Sequence, residues 1–319
     1  MPKPESVVIF DANVLPIASN LESALWLSIV RLCGRAQIKP CIPIVVLHES
    51  VNLRREKYAA ASAKYLVGFK ALSRFFDAPP VYFPDANEIA QRWDSELRAV
   101  FEILDSNGDD AIEALRREAL RCPPARLGTG ARDSLIWLTA VRLARGGAHV
   151  HLVSRNTADF SSSDAKSSLH PVLAAEWDGL AGSVSYHVGL DEFIEAVATR
   201  SAPPLFNTAV VTDVLADELR DSVLEQLFIK GELAVILPED QTTASVRVDE
   251  IQVLRSYAFE GGGLALLSGE GVAFVVDDSS ELALNVPISF QAWVDFDLGT
   301  MEPASGEVRN VTCGALSVA

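Results

Sequence analysis

The sequence predicts an α/β fold with a mostly parallel central sheet flanked by helices, followed by a smaller β-rich C-terminal domain. Three observations predict it. Short apolar runs alternate with helical patterns over residues 1–200, as buried parallel strands and their crossovers require. Past Ser201-Ala-Pro-Pro204 the texture changes to one amphipathic helix and several strand-like alternations broken by turns. The charge divides at the same place: 22 Lys and Arg face 24 Asp and Glu over residues 1–200, but 5 face 19 over residues 201–319. The expected domains are therefore residues 1–200 and 201–319.

The elements follow in order. Ser6–Phe10 is apolar and rich in β-branched residues, the pattern of a fully buried strand, and Asp11-Ala-Asn13 ends it. Leu21, Leu25, Ile29 and Leu32 recur at helical spacing up to Gly34, a helix stop. Cys41–Leu47 is a second apolar run, and Glu49 opens a long stretch of good helix formers to Phe76. After Pro79-Pro80, Pro84-Asp85 starts a helix through Ile89, Trp93, Leu97 and Val100. The polar turn Ser106–Asp109 leads to a short helix ending at Cys122-Pro-Pro124, with Asp109 and Asp110 as helix-start acids. Gly128-Thr-Gly130 then introduces a helix carrying Leu135, Ile136, Leu138, Val141 and Leu143, stopped at Gly146-Gly147. His149–Val153 is a strand, Ser154–Phe160 a loop, and Val184–Val188 with Asp191–Thr199 one more strand and helix. In the last third, Thr208–Phe228 reads as an amphipathic helix. Ser245–Leu254, Val272–Val276 and Phe290–Phe296 read as strands of an antiparallel sheet or small barrel.

Composition excludes several classes. With 49% hydrophobic and 22% charged residues the chain is neither disordered nor fibrous. No apolar run has the eighteen or so residues of a membrane span, and no secretory signal is apparent, so a cytoplasmic protein is expected. Cys33, Cys41, Cys122 and Cys313 lack a CxxC pair and read as small buried hydrophobes. His149 and His151 lie on one side of a strand; a metal pair is one reading and a surface face the preferred one. Gly128-Thr-Gly130 lacks the lysine of a phosphate loop and the third glycine of a dinucleotide fingerprint.

Ligands bind beyond the carboxyl ends of strands in open parallel sheets. Asp11 follows the first strand, Glu49 the second apolar run and Asp159 the His149–Val153 strand, while Asp133 lies in the first turn of a helix. Singly, each has a plainer role as a cap, a helix-start acid or a turn residue. Together at one rim they would repel unless cations occupied the site, and hard oxygen ligands select Mg²⁺ or Mn²⁺. The matching chemistry is phosphodiester hydrolysis. Asn13, Ser154 and Asn156 sit beside these acids as groups for a metal-bound water or a phosphate, with local turn bonding as the alternative. Asp164 is a further acid in a Ser-rich segment.

Four blocks taken together, Val8–Leu15, Ile42–Glu49, Gly130–Trp137 and Leu152–Phe160, resemble the sequence blocks of PIN-domain nucleases, and Cys122–Trp137 is similar to a bacterial PIN-like group with a C-terminal extension. The resemblance covers about residues 6–198. It implies a metal-dependent ribonuclease acting on single-stranded or structured RNA, with Asp11, Glu49, Asp133 and Asp159 as the acidic quartet.

Basic residues beside such a site would position a phosphate backbone. Arg54 and Arg55 begin one series, with Lys57, Lys64, Lys70 and Arg74; Arg116, Arg117, Arg121, Arg126 and Arg132 form another. Arg132 directly precedes a proposed ligand. Tyr58, Tyr65, Phe75 and Tyr82 could stack on bases, although core packing is expected of most. A phosphomonoesterase with Asp11 as nucleophile usually needs Asp-x-Asp, and this chain has Asp-Ala-Asn. A PIN-like scaffold without activity is the alternative from another class. The acidic last third is expected to serve an oligomeric contact, a protein regulator or inhibition in cis.

Overall fold

The computed structural model describes residues 5–17, 21, 23–74, 82–162, 165–166, 168–198, 200–201, 207–229, 244–259, 264–277, 283–297, 300, 302–315 and 317–318. The chain runs β1 (Ser6–Phe10), α1 (Ala24–Ala36), β2 (Ile38–Pro43), α2 (Ile44–Leu72), α3 (Ala86–Val100), β3 (Glu102–Leu104), α4 (Gly108–Leu120) and α5 (Ala131–Arg145). It continues with β4 (His149–Val153), α6 (Thr157–Phe160), α7 (Pro171–Trp177), β5 (Ser183–His187) and α8 (Gly189–Val197). The last part comprises β6 (Arg200–Ser201), α9 (Thr208–Ile229), β7 (Ala244–Phe259), β8 (Leu264–Asp277), β9 (Ala283–Phe296), β10 (Pro303–Cys313) and β11 (Ser317–Val318).

Two units result. The first holds residues 1–21 and 36–197, the second residues 22–35 and 198–319. In the first unit the sheet order is β3-β2-β1-β4-β5, and every pairing is parallel. The chain winds outward in both directions from β1, so β1 and β4 flank the point where ligands bind in open sheets. Both central strands bury four of five residues: β1 is apolar over Val7–Phe10, and β4 buries His151 among Val150, Leu152 and Val153. Ser6 pairs with His149 and Phe10 with Val153, so the two strands end level.

The apolar run 41–47 is divided, not a single strand. Pro43, extended at φ −61 and ψ 148, ends β2, and α2 begins at Ile44. Glu49 consequently stands in the second turn of α2, not directly after a strand. The helix expected to stop at Gly34 continues to Ala36, and the left-handed residue that follows it is Gln37, at φ +56. β3, three residues long, is too short to leave a periodic signal. Asn107 caps α4 by accepting from the Asp109 N–H, which leaves Asp109 and Asp110 in the first turn as expected.

The second unit is an antiparallel sheet of order β10-β9-β8-β7-β6, with β11 paired to β9. Val211, Leu215, Leu219, Val223 and Leu227 of α9, spaced four apart on one face, are fully buried. They share a core with alternate sheet residues such as Leu267, Val286, Phe290 and Val294. The strands run longer than the sequence runs suggested. The helix α1 also groups with this unit: Ser28 donates to Asp295 at 3.1 Å and Arg31 pairs with it at 2.6 Å. Asp295 is 2% exposed, so its charge is held by these two donors. Among the described residues no helix is long and apolar enough to cross a membrane.

Candidate functional site

The site forms where β1 and β4 end. The N–H of Asp11 donates to the Val153 carbonyl at 3.0 Å, continuing the ladder one residue past both strands. The Asp11 carboxylate, 4% exposed, accepts from the Ser154 hydroxyl at 2.5 Å and from the Asn13 amide at 2.7 Å. Asn13 in turn accepts the Arg155 N–H at 2.9 Å, and Ser154 Oγ accepts the Asn156 N–H at 3.0 Å. Asn13 and Ser154 thus tie the loop after β1 to the loop after β4 and fix Asp11 between them.

Asp133 reaches the rim from the first turn of α5. The turn depends on Gly130, which caps the helix at φ +118; a Cβ there would lie 3.2 Å from the Ala125 backbone and 3.4 Å from Asp133 Oδ2. Glu118 accepts the Ala131 N–H at 2.8 Å, so an acid from α4 satisfies one orphan donor of α5. No local signal marked Glu118 for this role.

The amide nitrogen of Asn156 donates to Asp133 Oδ1 at 3.1 Å and to Asp159 Oδ2 at 2.8 Å, linking two carboxylates. The other oxygen, Asp159 Oδ1, is buried and has no hydrogen-bond partner among the described residues. The hydroxyl of Ser134, beside Asp133, is in the same condition. Glu49 comes from α2, and Arg132 holds it at 2.5 Å.

The electrostatics report proximity. Burial pushes the Asp133 carboxyl up to about 6, reinforced by the charges of Asp11 and Asp159 and opposed by Asn156 and Arg132. Burial also raises Asp11, against the Ser154 and Asn13 hydrogen bonds and with help from Glu49. Glu49 is raised by burial and by Asp133, against Arg132. Each of the four acids therefore lies within electrostatic range of at least one other. They are not assembled as ligands: among the described residues, no three His, Cys, Asp or Glu side chains form a group that could hold a metal ion. Asp164 lies outside the described residues.

The expected basic residues divide by role. Arg54 stacks on Trp93, 4.2 Å from the ring centre, and the Trp93 N–H donates to Ser50 at 2.9 Å. Arg55 is exposed and donates to Asn52 at 2.5 Å on the same helix. Arg116 grips Glu113 with two hydrogen bonds, and Arg117 is buried between Glu113 and Glu176. Arg126 donates to the Ala158 carbonyl. Arg117 and Arg126 are thus occupied in tying segments together and Arg116 pairs within its own helix, while Arg132 pairs with Glu49.

Three other expectations change or stand. His151 and His187 are each 7% exposed and join Nδ1 to Nε2 at 3.0 Å, so this His face is interior, not a surface; the sequence offered no sign of the partner 36 residues away. Tyr65 and Tyr82 are exposed, against the core packing expected of them, whereas Tyr58 bonds the Pro84 carbonyl. Phe75 lies outside the described residues. Cys33, Cys41 and Cys313 are buried and none of the four cysteines is in a disulfide.

Residues 8–160, just under half of the chain, match the family model described as PIN domain, and the parallel sheet over those residues is consistent with that fold. No curated protein and no solved structure matches the chain.

Proposed function

We propose that residues 6–198 act as a divalent-metal-dependent endonuclease that hydrolyses phosphodiester bonds in RNA. The observation that carries this reading is the buried, unpartnered Asp159 Oδ1 beside two further carboxylates with raised proton affinity. A buried anionic oxygen without a donor is costly, and one lying beside further acids invites a hard cation. Asp11, Asp133 and Asp159, with Glu49 alongside, would hold Mg²⁺ or Mn²⁺ through oxygen alone. Such an ion, when bound, supplies a hydroxide at neutral pH and charge neutralisation at the attacked phosphate.

The protein's own groups do the rest. Ser154 and Asn13 favour the charged form of Asp11 against its burial and hold the side chain in place. Arg132, 63% exposed along its side chain, stands where a phosphate oxygen could replace Glu49 as its partner. The Asn156 amide, turned about its last bond, presents an acceptor oxygen where it now presents a donor. The acidity of residues 201–319 leaves RNA contact to the first unit and suits the second to a protein regulator or another copy of the chain.

A second reading, a PIN-like scaffold without activity, is favoured by a specific observation. As arranged, Arg132 neutralises Glu49 and Asn156 spans Asp133 and Asp159, so no three ligands converge. This resting arrangement lies nearer the second reading than the first. Titration with Mn²⁺ and an RNA cleavage assay separate them. The nuclease reading expects cleavage of single-stranded or structured RNA that requires Mg²⁺ or Mn²⁺. In Asp133→Asn it should fall on the order of 10²–10³-fold, with unchanged circular dichroism. Cleavage retained by that variant removes the reading; no Mn²⁺ bound at millimolar concentration establishes the scaffold.

A further inference from the structure

Antiparallel helices that only pack on each other close their seam with apolar side chains at i, i+3, i+4 and i+7. The helices α2 and α3 do this on one side, through Trp93 and its bond to Ser50. On the other side, positions 48, 51, 52 and 55 of α2 and 87, 90, 91 and 94 of α3 carry the same spacing, yet only Val51 and Ala90 are apolar. A cleft of about 750 Å³ stands open between them. That volume lies within the roughly 300–1,000 Å³ of ordinary ligand pockets.

The lining decides what fits. Asn52, Asn87 and Gln91 are carboxamides, each with a donor and an acceptor, which match the edges of nucleobases. The side-chain amides of Asn87 and Gln91 have no partner among the described residues. Asn52 bonds only Arg55 and Glu56 of its own helix, exposed contacts that a ligand can replace. His48 and Arg55 add planar groups on which a base can stack. Charge in the lining nearly cancels, Arg55 against Asp94, and Asp94 is itself held by Arg98 at 2.8 Å. A neutral cleft of amides and planar groups suits a base rather than a phosphate. It begins at His48, next to Glu49, and extends seven residues along α2, roughly 10 Å at 1.5 Å per residue.

We propose that the cleft between α2 and α3 seats an unpaired RNA base next to the bond to be cut and gives the enzyme a base preference. The place of this seat beside the scissile bond rests on the nuclease reading above; the seat for a base does not. The test uses the full chain and fluorescently labelled oligo-A, oligo-C, oligo-G and oligo-U RNA, with binding measured by anisotropy in EDTA and cleavage of the same RNAs in Mn²⁺. Wild-type protein should bind one of the four at least about tenfold more tightly than the weakest. In the N87A/Q91A double variant that advantage should collapse to within about twofold, with the weakest ligand unaffected. Gln91→Glu, which replaces a donor by an acceptor on an exposed face, should change which RNA is preferred. Equal binding of all four by wild type, a preference that survives the double variant, or no RNA binding overturns the proposal. A preference in EDTA that the double variant abolishes, without any cleavage in Mn²⁺, sinks the nuclease reading and leaves the base seat standing.

Discussion

The interior of the second unit and the rim of the first make opposite use of burial. In the second unit, five aliphatic residues of α9 at four-residue spacing are fully buried against the sheet, and local helix pattern, strand alternation and packing agree. At the rim, Asp11 is buried as deeply as most core residues, Asp133 and Glu49 are raised by their burial, and Asp159 keeps an oxygen without a partner. One region is arranged for stability; the other retains groups that cost stability. Departures of that kind are expected where a protein must bind or react.

The contrast can be broken by four measurements. The largest effect is expected from Leu219→Ala, which should lower stability in denaturant unfolding by about 2–5 kcal/mol while leaving the per-molecule RNA cleavage rate of the folded protein unchanged. A loss of cleavage by folded protein would show that the two regions are not separable. The next concerns His151 and His187, both pushed down to about 4 by burial and neighbouring imidazoles. Their folded values lie below the unfolded value of about 6.5, so the unfolded chain binds more protons between the two. The stability they contribute is complete above pH 6.5 and is lost as pH falls toward 4, on the order of 3 kcal/mol for the coupled pair. Denaturation midpoints for wild type and a His151→Gln/His187→Gln variant should converge on acidification; parallel pH profiles would contradict this.

Third, Asn156→Ala removes the link between Asp133 and Asp159 and should weaken Mn²⁺ binding about 10- to 100-fold in calorimetric titration. Unchanged affinity would show that Asn156 only holds the loop. The smallest effect runs against the usual direction of mutation. Asp133→Asn removes a carboxylate raised from 3.8 to about 6, and the metal-free protein should gain about 1–2 kcal/mol at pH 7 after allowance for its partial exposure. Destabilisation by Asp133→Asn would place Asp133 with the structural acids.

How much of this was legible in the sequence differs by range. Asp11 and Asp159 could be placed because each follows a strand whose buried, β-branched run is plain, and strand ends share one edge in a parallel sheet. Glu49 was placed one element early, because Cys41–Leu47 is uniformly apolar and periodicity cannot divide a strand from a buried helix start in seven residues. The pairing of Arg132 with Glu49 spans 83 residues, and that of Arg31 with Asp295 spans 264; neither leaves a local trace. The polar stripes of α2 and α3 were not singled out in the sequence, because only the packing of the two helices brings them face to face.

The helix α1 has a consequence for how the protein is made. Its residues 22–35 belong with a sheet whose strands β7 to β10 are synthesised more than two hundred residues later. On the ribosome the parallel sheet can be completed at His187, while Ser28 and Arg31 of α1 wait for their partner Asp295 until β9 emerges. A chain cut at residue 200 would keep that waiting helix for good. Any shortened form for expression should therefore remove or replace residues 22–35 as well, and a chaperone-dependent yield is the expected price of translating this order of elements.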